Sequence, residues 1–257
     1  MSPGQIALLA VAGVLAGSVN TAAGGGTLIS FPALLALGVP PVTANITSAI
    51  GLVPGYAGGA YAYRRELHGQ RRRFVGLLAV SILGGIVGAL LLLATPGNAF
   101  KRAVPYLVII SCLLLLAQPR LAAWVNNRRR QEATTTRNEI SRFGIQSGGL
   151  LASVYGSYFG AGLGVLLLAV LGIFISDDMQ RLNALKALLS LVIVTAGATV
   201  YIGLGQVSLL QVAILCATSC IGGFLGGFAA RRLSPETLRR AVCVLGFTVA
   251  AVMLKQG

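Results

Sequence analysis

Apolar residues run from Ile6 to about Val19, give way to Asn20, Thr21 and three consecutive glycines, Gly24, Gly25 and Gly26, and resume from Leu28 to Leu37. A helix needs about 20 apolar residues to cross a bilayer, so each piece alone reads as a half-span or a short helix. Each glycine costs a helix interior about 1 kcal/mol relative to alanine, and three together predict a break. The two pieces form a pair that enters and returns to one side, closed by a turn at Gly38-Val39-Pro40-Pro41. Three full spans follow: Thr43 to Tyr63, Phe74 to Ala94, and a third that starts after the turn at Thr95-Pro96-Gly97-Asn98 and ends near Ala117. Arg120 to Arg142 is a long polar link.

The pattern then repeats. GLLASVYGSYFGAG from Gly149 aligns with GVLAGSVNTAAGGG from Gly13, placing Thr21 on Ser157, Gly24 on Gly160 and Gly26 on Gly162. After a two-residue insertion Asn45 falls on Asn183, Ser48 on Lys186, Gly84 and Gly85 on Gly222 and Gly223, and Gly88 on Gly226. Lys101 and Arg102 fall on Arg239 and Arg240. Residues 1–118 and 143–257 are therefore read as two membrane repeats joined by a basic linker, 119–142.

Composition agrees. The 257 residues are 56% hydrophobic and 10% charged, with a mean hydropathy of +0.83. This describes an all-α membrane protein; a β-barrel would show short alternating strands. The net charge of +14 is not read as a nucleic-acid footprint, because the basic residues gather in links at Arg64–Arg73, Arg120–Arg142 and Arg231–Arg240. Links of this kind set topology by staying in the cytoplasm. With all three inside, the second repeat starts on the opposite side from the first, so the repeats are inverted, each a glycine-broken short-helix pair plus three transmembrane helices. No Lys or Arg precedes Arg64, which argues against a cleavable signal peptide. The expected location is the inner cell membrane, multi-pass.

Inverted repeats with broken helices are the recurrent layout of secondary transporters, in which the breaks expose main-chain donors at a central site. Close packing at small residues is the competing reading of the same glycines. Asn20, Thr21 and Thr27 around the first break favour a site, as do Ser157 and Tyr158 at the second. Lys186 lies one turn into the span Leu182 to Leu204, and no acid lies in an apolar run to pair with it. A charge there faces a cavity or snorkels to the interface. Asn45 and Asn183 either donate to a ligand or cap a broken helix. Donors plus one cation, with no carboxylate, fit a small oxyanion. The candidate binding set is Asn20, Thr21, Gly24, Gly25, Gly26, Thr27, Asn45, Ser48, Ser157, Gly160, Gly162, Asn183 and Lys186.

Other chemistry has little to stand on. His68 is the single histidine and lies in a basic link. Cys112, Cys216, Cys220 and Cys243 fall in apolar runs with no acid or histidine beside them, so no metal, cofactor or enzymatic activity is expected. The Gly222–Gly227 face suits packing within the fold or against a second copy, so a homo-oligomer stays open.

The stretch GVLAGSVNTAAGGGTLISFPALLALGVPPVTANITS, Gly13 to Ser48, resembles the TauE/SafE family of membrane transporters, and the weaker second copy with GAG at Gly160–Gly162 and NALK at Asn183–Lys186 fits it too. The resemblance covers nearly the whole chain. It implies export of sulfite or an organosulfonate such as sulfoacetate. An anion channel, or a carrier of another small anion such as thiosulfate, remains the alternative.

Overall fold

A computed structural model describes residues 1–132, 142–229 and 235–256. Residues 133–141 of the basic linker and 230–234 of the last basic link lie outside the described residues. The described chain is helical throughout: α1 (Pro3–Ala23), α2 (Thr27–Ala36), α3 (Pro41–Ala62), α4 (Arg71–Ala94), α5 (Gly97–Glu132), α6 (Arg142–Tyr158), α7 (Leu163–Phe174), α8 (Met179–Leu204), α9 (Leu209–Ala229) and α10 (Pro235–Gln256). Among the described residues five helical stretches are long and apolar enough to cross a membrane: Pro3–Thr21, Arg71–Ala94, Gly97–Trp124, Met179–Leu204 and Leu209–Gly226. Their outward faces carry large apolar side chains such as Leu83, Leu90, Leu113, Ile202 and Leu209, as a lipid-facing surface requires.

Three elements differ from the sequence reading. α1 is not a half-span: it has 21 residues and runs through Asn20 and Thr21. The Thr21 hydroxyl lies 3.2 Å from the Gly17 carbonyl one turn back, so this polar residue bonds within the helix, and the chain turns only at Gly24, whose φ of 77° is left-handed. α3 has the expected length but is not among the five most apolar stretches, because polar and glycine residues thin its hydropathy. α5 continues to Glu132, well into the expected linker, since Leu121, Ala122 and Ala123 carry the apolar run on to Trp124 with good helix formers.

The halves interlock. α9 packs on α1 and α3, and α4 packs on α6 and α8. Matched glycines make these contacts. A Cβ on Gly222 would lie 2.1 Å from the Val14 carbonyl oxygen, and one on Gly84 would lie 3.0 Å from that of Leu150. A Cβ on Gly223 would lie 2.6 Å from the Gly55 carbonyl oxygen and one on Gly85 2.7 Å from that of Ile193. A Cβ on Gly226 would lie 2.7 Å from the Ser18 carbonyl oxygen and one on Gly88 2.2 Å from that of Val154. The sequence offset that pairs the glycines also pairs their partners. Contacts rise together in number along α1 and α9, α3 and α9, and α4 and α6, so each of these pairs runs parallel.

At one end, the link before α4 is tied to the turn before α8. Arg73 and Arg181 both bind the Asp177 carboxylate. Gln70 Nε2 donates to the Arg181 carbonyl at 2.8 Å, and Arg181 Nη1 to the His68 carbonyl at 3.2 Å. The α6–α7 pair thus ends on the side where α4 begins. Burial opposes ionisation of Asp177, but hydrogen bonds from Arg73, the Asp178 N–H and Arg181 outweigh it and hold the carboxyl below its ordinary value of 3.8.

Two outcomes follow. Gly222→Ala should lower stability by about 1–3 kcal/mol through overpacking, whereas Gly76→Ala, with open space around it, should not; equal melting temperatures in detergent would refute the interlock. Because the folded-state pKa of Asp177 is depressed, its contribution is present above the unfolded value and is lost as pH falls through the folded one. Asp177→Asn should therefore melt below the wild type at pH 7, and the two melting curves should converge below about pH 4. A gap that persists in acid would place the effect elsewhere.

Candidate functional site

The two breaks are pressed against each other. Gly24 ends α1, and a Cβ there would sit 2.8 Å from Gly164 Cα in the first turn of α7. Gly160, with φ 83°, lies after α6, and its Cβ would sit 3.0 Å from Thr27 Oγ1 at the start of α2. Neither α2 nor α7 has a side-chain N-cap hydrogen bond. The N–H groups of Leu28 and Ile29 donate to the Gly25 and Gly26 carbonyls, and those of Leu163 and Val165 to the Gly160 and Gly162 carbonyls, while the partial positive charge of each helix start still faces the junction.

A small cavity lies on each side of this junction. The first is lined by Asn20, Thr21, Gly24, Tyr56, Gly59, Gly164, Lys186, Ala187 and Ser190. The second is lined by Thr27, Ala49, Leu52, Tyr56, Gly156, Ser157, Gly160, Val194 and Tyr201. Tyr56 belongs to both walls. Each has room for about one water molecule.

Lys186 governs the first cavity. It is only 4% exposed, which a snorkelling ammonium would not be. Its Nζ donates to Asn183 Oδ1 at 2.9 Å, one turn back on α8. None of α1, α2, α3, α6, α7, α8 or α9 carries an Asp or Glu. A buried cation with a single neutral partner calls for an anion. Asn20 Oδ1, also buried, has no hydrogen-bond partner. An amide can present either its oxygen or its N–H₂ to the cavity. The Thr21 hydroxyl is engaged by the Gly17 and Gly223 carbonyls, both at 3.2 Å, which leaves it able to accept and not to donate.

The second cavity has no charge. Ser157 is 5% exposed and its Oγ has no partner. Tyr201 donates to the Ser157 carbonyl at 2.6 Å.

The remaining candidates lie away from both cavities. Asn45 Nδ2 donates to the carbonyl of Tyr158, the last residue of α6, at 2.8 Å, which is a helix-end cap. Ser48 and Ser30 share a hydrogen bond of 2.6 Å. Gly25 packs on Leu115, Gly26 against the Ala16 carbonyl, and Gly162 beside Ser111 of α5. Asn183 touches the site only through Lys186. Sequence reasoning overlooked Tyr56, Ser190 and Tyr201. For Tyr56 a signal existed: a phenol beside Pro54, Gly55, Gly58 and Gly59 in an otherwise apolar span.

Comparison with known proteins now bears on the site. The family model described as sulfite exporter TauE/SafE matches residues 9–253. A probable membrane transporter protein of Haemophilus influenzae is 24% identical over 249 residues, covering 97% of this chain and 94% of that protein. The probable membrane transporter protein YfcA of Escherichia coli is 25% identical, covering 98% and 89%. A probable membrane transporter protein, ORF9 of a Sinorhizobium species, is 29% identical over 168 residues, 65% of this chain and 63% of that protein.

Asn45→Ala should strip the Tyr158 carbonyl of its buried donor and lower stability by about 1–3 kcal/mol. As a cap and not a ligand group, it should leave anion-induced stabilisation unchanged. Loss of that stabilisation at an unaltered melting temperature would return Asn45 to the binding set.

Proposed function

The chain belongs to the TauE/SafE family and is a multi-pass membrane transporter, and from that premise we propose that it exports a small sulfur oxyanion, sulfite or an organosulfonate such as sulfoacetate, across the inner membrane by alternating access. The observation that carries the reading is the buried Lys186 ammonium, which has one neutral partner and no carboxylate on the helices around it. Asn20, Ser190 and the backbone of Gly164 in the first turn of α7 supply neutral groups beside it. Thr27, Ser157 and Gly160 line the neighbouring cavity across Tyr56.

Alternating access draws support from the packing. α1 runs parallel to α9 and α3, and α6 runs parallel to α4. A short link joins α3 to α4, so these two run in opposite senses if both cross, and α1 and α6 are then opposed as well. That is the inverted relation the basic links give independently. Neither cavity admits more than a water molecule, so an oxyanion enters only when the helices around the breaks move. This favours a carrier over an open anion channel. Outward movement of an anion is favourable at a negative-inside potential by about 2.3 kcal/mol per charge per 100 mV.

Thermal unfolding of the detergent-purified protein against sulfite, sulfoacetate, taurine, thiosulfate, sulfate and chloride tests the reading. A ligand selective for the native state raises the melting temperature in a concentration-dependent way. Sulfite or a sulfonate should give a saturable rise that chloride does not. Lys186→Met should move the half-saturating concentration up at least tenfold while the protein stays folded. Stabilisation by another anion with none from a sulfur oxyanion would overturn the substrate assignment, and an unchanged midpoint in the variant would remove Lys186 from the site.

A further inference from the structure

The two cavities flanking Tyr56 are built from matched positions of the two halves. Under the offsets that align the sequence, Thr21 corresponds to Ser157 and Gly24 to Gly160, while Asn20 corresponds to Gly156. Ala187 and Ser190 correspond to Ala49 and Leu52, and Tyr56 to Val194. All of these residues line one cavity or the other, each on the side its counterpart requires. The chain has therefore made one cavity twice and then diverged its chemistry. Where the first cavity has Lys186, the corresponding residue is Ser48, which is engaged by Ser30 at 2.6 Å and stands outside the second cavity.

We propose that the second cavity is a separate, uncharged subsite for the same class of small oxyanion, reached across Tyr56 from the Lys186 subsite. Two independent features point to a ligand there. Thr27 opens α2, a ten-residue helix whose start has no side-chain cap, and lines the cavity. Ser157 lines it as well, is 95% removed from solvent, and its hydroxyl has no hydrogen-bond partner among the described residues. A buried hydroxyl left unpaired destabilises the fold, so its retention points to a partner within the cavity. Hydrogen bonding without a counter-charge makes this the weaker of the two stations. An anion leaving Lys186 then meets neutral donors before it meets water. The proposal rests on the sulfur-oxyanion reading of the charged cavity.

Equilibrium binding of radiolabelled sulfite to the purified protein separates the two claims. Lys186→Met should retain saturable binding at least tenfold weaker than wild type, and adding Ser157→Ala should abolish the remainder. Ser157→Ala alone should melt at or above the wild-type temperature without ligand, because it removes an unsatisfied polar group. Thr27→Val in the Lys186→Met background serves as a second probe should the serine variant fail to fold, and it too should abolish the residual binding. Absence of residual binding in Lys186→Met, or residual binding indifferent to Ser157→Ala and Thr27→Val, overturns the second subsite and leaves the first intact. A lower unliganded melting temperature for Ser157→Ala would make the hydroxyl structural and overturn it as well. A wild type that binds no sulfite overturns the parent reading and this one together.

Discussion

Gly24 faces Gly164 and Gly160 faces Thr27 at distances that leave no room for a side chain. This mutual contact of two broken helices is the constraint on which the rest of the molecule depends. A helix interrupted inside an apolar layer exposes main-chain donors and acceptors that lipid cannot satisfy. Here the interruptions shield one another, and hydroxyl and amide groups of α1, α3 and α5 meet nearby carbonyls. Thr21 and Asn45 bond carbonyls of α9 and of the end of α6, and Ser111 donates to the Ala161 carbonyl within the second break at 3.0 Å. Among the buried side-chain atoms left without a partner in the described residues, Asn20 Oδ1 and Ser157 Oγ belong to residues that line the two cavities.

Holding two breaks together requires each half to grip the other. The fourth helix of each half does this, α4 against α6 and α8, and α9 against α1 and α3. Glycines at matched positions bring backbones into contact, where packing, and not the hydrophobic effect, drives association in a bilayer. At one end the grip is reinforced by charge, where Asp177 joins Arg73 of α4 to Arg181 of α8. α8 also carries Lys186, so the element that bears the buried charge is fixed both by glycine packing and by an ion cluster.

The dependence of function on this arrangement is direct. A lysine on a single lipid-exposed helix would extend its ammonium to the interface. Lys186 cannot, because the junction of the breaks and Tyr56 enclose it, with Asn183 as its one hydrogen-bond partner. On the proposed reading the same enclosure would make the site selective by charge, because a cation or an apolar molecule would leave an unpaired ammonium in place.

The helical membrane class, the glycine breaks and the isolation of Lys186 from acids were legible in the sequence, because apolar run length, helix-breaking residues and charge distribution are local properties. Element ends were less so. α1 persists past Asn20 and Thr21 because a threonine hydroxyl bonds its own helix, and α5 persists past Ala117 because apolar helix formers resume at Leu121 beyond Gln118, Pro119 and Arg120. The fate of each polar residue was not legible at all. Asn45 and Asn183 occupy matched positions, yet one caps α6 and the other holds Lys186, a difference set by what each meets across the fold. Tyr56 became the wall between two cavities only when α3 packed beside both breaks. Sequence alone determined that the chain is a helical membrane protein with a cation in an apolar run that lacks a carboxylate. Tertiary structure decided which donors stay free, since a hydrogen bond between residues far apart in the chain depends on distances that no local pattern encodes.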